Sequence, residues 1–297
     1  MDAMHGPFGP IDWALLLRAV AGSVVGGLGS YYAIAALLHF LYDRRRDRAA
    51  EWKCQPGRFL TRQQERQQLL LGSGNLFAGS VASGLFVYYV AKGGYTTLYF
   101  DHARHGWTTT VLTGVAYFLG TDLVLYWAHR TLHVPALFRA IHRHHHRYVS
   151  PTSITAMAMH PLEFAIYQGT MLVPLFFLPV HVGAVIATLV YSHYYAQMDH
   201  SGVRMRAWVP WQPPTQFHDD HHALFHVNYG QNSALWDRLF GTLRREGRVY
   251  GAQVFGGKGA PVGKEDGPPR YFDYAKLWNA DPAEPTAERG AAKGRAS

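Results

Sequence analysis

Three long stretches without charged side chains most constrain what this chain can fold into. Residues 19–42 form a run of 24 residues without Asp, Glu, Lys or Arg, and residues 69–91 form a second uncharged run. Residues 108–127 form a third, in which Asp122 is the only charged residue. A helix of about 20 apolar residues crosses the ~30 Å hydrocarbon core of a bilayer. We therefore expect an all-α integral membrane protein.

Small residues recur in the first two runs. Gly22 and Gly26 form a GxxxG pattern in the first, and Ser80 and Gly84 have the same spacing in the second. Small side chains let membrane helices approach each other closely. We expect the first two helices to pack together along these positions.

The loop between the first two runs is strongly basic. Residues 43–67 hold eight Lys or Arg, and the whole chain has a net charge of +8. Basic loops beside membrane helices face the cytoplasm. This placement explains the positive charge better than nucleic-acid binding does, so no nucleic-acid partner is expected.

A further apolar stretch runs from Glu163 to Met198 and is interrupted by Pro174 and Pro179. Its length suits two short helices in a hairpin, which returns the chain to the side from which it came. The histidine-rich segments before and after it then share one face of the membrane. The expected fold has about four to five transmembrane or hairpin helices under a cytoplasmic, helical, histidine-rich cap.

The rest of the chain sets the expected domain limits. The single cysteine, Cys54, excludes an internal disulfide and any zinc site that needs two cysteines. The N-terminus has no pattern of a cleavable signal peptide. We expect N-terminal helices and a basic loop over residues 1–107, a histidine-rich domain over 108–243, and a polar extension over 244–297 that is disordered from residue 280 onward.

The histidines follow helical spacing. Residues three and four apart share one face of a helix, and neutral imidazole is the commonest metal-binding side chain. Zinc takes about four ligands, so eight ordered histidines suit two metals with open positions; imidazole alone does not choose among iron, zinc and copper. The spaced sets are His129 with His133, His142 with His145 and His146, and His218 with His221 and His222.

Other functions remain open at this point. A lone HxxxH pattern is common by chance, and metal-storing histidine tracts lack strict spacing. A membrane metal transporter or sensor would use polar residues inside the spans, where Asp122, His181 and His193 are the candidates. A haem-binding electron carrier would leave the HxxHH spacing unexplained.

Eight short segments follow one another between residues 108 and 243: Asp122, Tyr126–His133, His142–His146, His160–Glu163, His200–Gly202, Phe217–His222, Asn228–Gly230 and Leu235–Thr242. In order and spacing they resemble the fatty acid hydroxylase superfamily, the group of membrane di-iron oxygenases that contains sterol desaturases and lipid hydroxylases.

The resemblance implies a set of metal ligands. His200 joins the eight spaced histidines as a ninth, and His160 and His193 are further candidates that either bind metal or flank the site. His144 points away from the stripe of its neighbours and is left out. Asp122 and Glu163 are the candidate catalytic acids, expected to accept the outer N–H of a ligand imidazole.

The resemblance also implies a chemistry. It is the O2-dependent hydroxylation or desaturation of a C–H bond in a membrane lipid or sterol at a centre of two iron ions, which zinc could replace in a purified protein. The expected partners are the lipid or sterol from the bilayer, O2, and a separate electron donor such as a ferredoxin, a cytochrome b5-like protein or a reductase. The expected location is a bacterial inner membrane, with a multi-pass chain whose active site faces the cytoplasm.

Overall fold

Three long helices dominate the fold. The computed structural model describes residues 9–250, 259–261 and 271. Each of the three helices is long and apolar enough to cross a membrane. Large apolar side chains such as Val25 and Leu70 are exposed on them, as expected for a surface that faces lipid. The three are α1 (Trp13–Leu41), α3 (Arg62–Ala91) and α4 (Gly106–Leu132).

The remaining elements are short. The helices among them are α2 (Ala49–Trp52), α5 (Pro135–Leu137), α6 (Arg143–His146), α7 (Pro161–Leu172), α8 (Val182–Asp199), α9 (Gln216–Leu224) and α10 (Leu235–Leu239). A π-helical turn covers Phe138–His142, and 3-10 turns cover Asp43–Arg48, His102–Arg104, Ser153–Met157 and Val173–Phe176. Within the described residues, the only strands are β1 (Arg248–Val249) and β2 (Ala260–Pro261), which pair antiparallel. The predicted all-α fold is confirmed.

Helices α1 and α3 pack closely through small residues. A Cβ atom at Gly84 would collide with the backbone of Val20, and one at Gly27 would collide with Ser80. Ser80 and Gly84 therefore lie in the contact, as predicted. The prediction was wrong for α1, because Gly22 and Gly26 have no neighbour that a Cβ would meet, and Gly27 forms the contact instead.

The predicted hairpin is formed by α7, its 3-10 continuation and α8. Its turn lies against the loop that joins α3 to α4: the amide of Thr97 donates to the carbonyl of Leu175 over 2.9 Å, and that of Tyr99 to Val180 over 3.1 Å. Val182 donates back to the carbonyl of Tyr99 over 2.9 Å. The turn is thus at the end of the bundle opposite the histidines. Both ends of the hairpin therefore lie at the end of the bundle that carries the histidines, which we call the cap. This agrees with the prediction that the histidine-rich segments before and after the hairpin share one face of the membrane.

The basic loop folds onto the cap. The amide of Cys54 donates to the carbonyl of Gly202 over 2.8 Å, and that of Arg204 to Trp52 over 2.7 Å. Trp52 is buried against Ala49 and Val203. These contacts fix the segment that follows α8 and so help to position His200, which caps the C-terminal end of α8. The expected disordered tail from residue 280 onward lies outside the described residues.

Candidate metal centre

Nine buried histidines form two adjacent groups. In each group, one nitrogen from every ring lies within 4.8 Å of those of the other rings. The five-histidine group is His129, His133, His142, His146 and His221. The four-histidine group is His145, His200, His218 and His222. These nine are the eight spaced histidines together with His200.

Each HxxHH element contributes to both groups. In the first, His142 and His146 enter the five-histidine group while His145 enters the four-histidine group. In α9 the division is reversed, because His218 and His222 enter the four-histidine group while His221 enters the five-histidine group. Residues i and i+4 lie nearly above one another on a helix, whereas i+3 is displaced around the axis. The two segments therefore cross so that each faces both groups.

The outer nitrogens of several rings contact acceptors. His129 Nδ1 lies 2.8 Å from the carbonyl of Tyr229, and His221 Nδ1 lies 2.6 Å from the carbonyl of Val227. A carbonyl oxygen can only accept, so each Nδ1 donates a hydrogen, and the Gln231 amide, whose nitrogen is placed 2.7 Å from Nδ1 of His129, then turns its oxygen toward that ring. The inner Nε2 atom of these rings then presents a lone pair to its group, which is the form that binds metal.

The four-histidine group provides a direct test of whether a metal fits. His145 Nδ1 lies 3.4 Å from the carbonyl of Ala158, and His200 Nδ1 lies 2.7 Å from that of Ala196. With both hydrogens on Nδ1, the two Nε2 atoms face each other over 3.1 Å without a hydrogen between them. Such lone pairs repel unless a cation binds both. Burial lowers the pKa of His145 well below its usual value, so a metal ion fits this position better than a proton.

Two buried carboxylates support one group each. Glu163 Oε1 lies 2.7 Å from Nδ1 of His142, in the five-histidine group. Asp199 Oδ1 lies 2.6 Å from Nδ1 of His200, and its other oxygen lies 4.0 Å from Nδ1 of His218. Both acids are at most 2% exposed. Sequence reasoning named Glu163 but missed Asp199, although an acid directly before His200 and after an apolar run was a usable signal.

Asp122 does not make the contact expected of it. Its carboxylate accepts hydrogen bonds from the amide of Asn232 (2.9 Å), the hydroxyl of Ser233 (2.7 Å) and the indole of Trp236 (2.9 Å). It therefore holds the loop before α10 and touches no imidazole. Two helical turns separate it from His129, and the loop fills the space between them.

Two of the candidate histidines lie outside both groups. His160 is the N-cap of α7, where its Nδ1 accepts from the amide of Leu162 over 3.2 Å, and its ring faces that of His144. His193 Nε2 lies 3.2 Å from both the hydroxyl of Ser30 and the amide nitrogen of Gln197. Each of these two rings already has a protein partner away from the groups.

Comparison with known proteins identifies the family. The model of the fatty acid hydroxylase family matches residues 114–242, the segment that contains all nine grouped histidines. Residues 114–242 of this chain belong to the fatty acid hydroxylase family. Membership confirms the resemblance drawn from the ordered motifs and makes the chain an oxidoreductase.

Curated relatives are sterol-oxidising enzymes. The chain is 28% identical to a rat (Rattus norvegicus) lathosterol oxidase over 253 residues, 82% of each chain. It is 32% identical to a Delta(7)-sterol 5(6)-desaturase of Candida glabrata over 154 residues, which cover 51% of this chain and 42% of the relative. It is 35% identical to the methylsterol monooxygenase erg25A of Aspergillus fumigatus over 138 residues, 43% of this chain and 46% of the relative.

The long helices indicate the setting of the enzyme, and the coverage of the relatives differs among them. The chain spans four fifths of the rat relative but less than half of each fungal one. With three helices able to cross a membrane, it is an integral membrane protein. No solved structure matches the chain.

Proposed function

We propose that the chain is a di-iron lipid oxidoreductase that uses O2 to hydroxylate or desaturate a C–H bond of a sterol or another membrane lipid. The observation that carries the proposal is the pair of adjacent histidine groups, in which inner nitrogens face one another without a hydrogen between His145 and His200. The names of the relatives support a sterol as the first substrate to test.

Each histidine group would hold one iron ion. Bound iron would supply a reducible centre that activates O2 for C–H oxidation. The protein keeps the imidazoles neutral by burial, which lowers the pKa of His142 to about 3 and those of His218 and His222 well below their usual value. Hydrogen bonds from Nδ1 fix ring orientation, and burial of the rings excludes bulk water from the reaction.

Two electrons per turnover would come from a separate carrier. The outward side of the segment that holds His142, His145 and His146 is basic, because Arg143 and Arg147 are exposed there. We propose that an acidic carrier protein docks near these residues. A carrier docked there would lie close to the metals, since the arginines and the ligand histidines belong to one short helical segment.

We propose that the cap and the basic loop face the cytoplasm. The positive-inside rule supports this orientation. The proposed catalytic domain is residues 108–243, preceded by the N-terminal helices over 1–107 and followed by the extension over 244–297. The relatives compared above are eukaryotic, so a bacterial inner membrane stays a prediction from the sequence.

Metal analysis and lipid turnover test the function together. The purified protein should contain two iron ions and should consume O2 with lathosterol when a reductant is supplied. Mass spectrometry of the product separates the two reactions, because hydroxylation adds one oxygen atom and desaturation removes two hydrogens. Metal binding without lipid-dependent O2 consumption, across sterol and acyl substrates, would favour a transporter or sensor instead.

Matched alanine variants test the ligands. His145→Ala and His221→Ala should each lose metal from one group and abolish activity while the protein stays in the membrane. His144→Ala and His226→Ala are the controls, since neither ring belongs to a group. Equal loss of metal in all four variants would mean that the two groups are not the metal site.

A further inference from the structure

A polar row joins α1 to α8 outside the two histidine groups. Ser30 of α1 and Gln197 of α8 both contact Nε2 of His193, each over 3.2 Å. The Ser30 hydroxyl donates its hydrogen to the carbonyl of Gly26 over 2.7 Å. The Ser30 oxygen therefore acts as the acceptor toward His193, and Nε2 of His193 carries the hydrogen.

Gln197 keeps a free hydrogen-bonding end. Its side chain is fully buried, and its Oε1 atom has no hydrogen-bond partner. Amide oxygen and nitrogen have nearly the same shape, so the amide can turn to offer its oxygen to the hydrogen on His193. The nitrogen then occupies the free position instead. Since Nε2 of His193 carries a hydrogen, this turned orientation is the favourable one, and it leaves the amide nitrogen for a ligand, because an unpaired buried polar group is unfavourable.

Gln197 lies close to the metal centre along α8. His193, Gln197 and His200 follow one another at i, i+4 and i+7, so they share one face of α8. At about 1.5 Å per residue, Gln197 lies roughly 4.5 Å along the axis from His200. Nε2 of His200 lies 3.0 Å from that of His218 in the four-histidine group. A group bound at Gln197 would therefore lie near this end of the centre.

The chemistry of the row favours a hydroxyl group. Among the described residues, the hydrogen-bond partners of Ser30, His193 and Gln197 carry no formal charge. A phosphate or carboxylate would lose its hydration here without an ion pair, which is costly. A hydroxyl is neutral and both donates and accepts, so it satisfies the free end of the amide in either orientation.

We propose that Ser30, His193 and Gln197 form a hydroxyl subsite, in which Gln197 binds the hydroxyl group of a lipid and His193 and Ser30 orient the amide. The subsite would fix the distance between that hydroxyl and the carbon presented to the metals. This inference rests on the proposed function and names its substrate class as a hydroxylated lipid.

A binding competition without turnover tests the subsite. The protein is incubated without reductant with equimolar lathosterol and its 3-deoxy analogue, and separately with octadecanol and octadecane. Mass spectrometry then measures how much of each lipid is retained. We expect the protein to retain the hydroxylated member of one pair roughly 10- to 100-fold more, as a buried hydrogen bond to a ligand would give. The preferred pair shows whether the lipid is a sterol or a linear chain.

A matched pair of variants assigns the preference to Gln197. Gln197→Leu should abolish it while the metal content is unchanged, because the side chain belongs to neither histidine group. Gln168→Leu is the control and should keep the preference, since the Gln168 amide in α7 already donates to Ser83 over 2.9 Å. If Gln197→Leu does not fold, Gln197→Met replaces the amide with a flexible chain of similar length.

Two outcomes overturn the inference. One is equal retention of both members of both pairs by the unaltered protein, which needs no variant. The other is a preference that survives in Gln197→Leu. A protein that retains the hydroxylated lipid selectively but oxidises no lipid would contradict the proposed function alone. A protein that oxidises lipids without regard to the hydroxyl would contradict the subsite alone.

Discussion

The two buried carboxylates should act on different metals. Asp199 contacts His200 in the four-histidine group, and Glu163 contacts His142 in the five-histidine group. Asp199→Asn and Glu163→Gln keep the size of each side chain and one acceptor oxygen, and remove the negative charge. Each variant should weaken binding of the metal in its own group and leave the other metal unchanged.

The size of each effect follows from the hydrogen bonds. A hydrogen bond to a charged group contributes about 1.5–3 kcal/mol and a neutral one about 0.5–1.5 kcal/mol. Loss of the charge therefore costs about 1–1.5 kcal/mol, or roughly a tenfold loss of affinity, at the lower end of the range for residues that support a ligand. Asp199→Asn should show the smaller effect, because Nδ1 of His200 also has the carbonyl of Ala196 at 2.7 Å.

Competition titration measures both sites at once. Metal-free protein is titrated anaerobically with Fe²⁺ against a chelator, and the data are fitted with two dissociation constants. Asp220→Asn is the control, since this buried acid pairs with Arg244 over 2.8 Å and with Gln216 over 2.9 Å. The reasoning is refuted if both variants weaken the same constant, or if either variant loses its metal as completely as His145→Ala.

Three further predictions concern stability and topology. Asp122→Asn should retain both metals but lose about 1–3 kcal/mol of unfolding free energy. Three donors converge on the Asp122 carboxylate, and the amide nitrogen that replaces one of its oxygens cannot accept from them. A thermal melt with metal analysis checks this, and loss of metal would make Asp122 a ligand. The metal-free protein should lose stability as the pH falls below about 6.5. Burial lowers the pKa of seven histidines in the folded protein, so below that pH the unfolded chain binds protons that the folded chain does not, and each histidine costs about 1.4 kcal/mol of unfolding free energy per pH unit. These histidines are His133, His142, His145, His146, His218, His221 and His222. An unchanged melting temperature between pH 7.5 and 5.5 would contradict this prediction. Cysteines placed at Arg206 and Tyr95 should label from opposite sides of the membrane, and labelling from one side would exclude the proposed hairpin topology.

The sequence predicted the helices because membrane length is a strong physical constraint. Uncharged runs of the required length became α1, α3 and α4, and Pro174 and Pro179 marked the turn of the hairpin. The face of each helix was harder to predict. Small residues surround much of α1, so a shift of one residue, from Gly26 to Gly27, turns the contact by about 100°.

The same limit applies to the histidines. Spacing predicted that His142, His145 and His146 would share a helical face, and it predicted the number of metals from the number of rings. It did not predict that His145 would join a different group from its neighbours. That division depends on how the segment crosses α9, and the crossing is set by tertiary packing and by the π-helical turn at Phe138–His142.

Main-chain carbonyls explain why the role of Asp122 was misread. The carbonyls of Val227 and Tyr229 orient His221 and His129, and a sequence pattern does not reveal where a carbonyl points. Asp237 accepts from the amide of Tyr229 over 2.8 Å and from that of Gly230 over 2.7 Å, and the Gly230 amide belongs to the same peptide unit as the Tyr229 carbonyl. Asp122 fixes the same loop from the side of α4. Both acids therefore serve the histidine groups through the backbone, which is why Asp122→Asn should change stability before it changes metal binding.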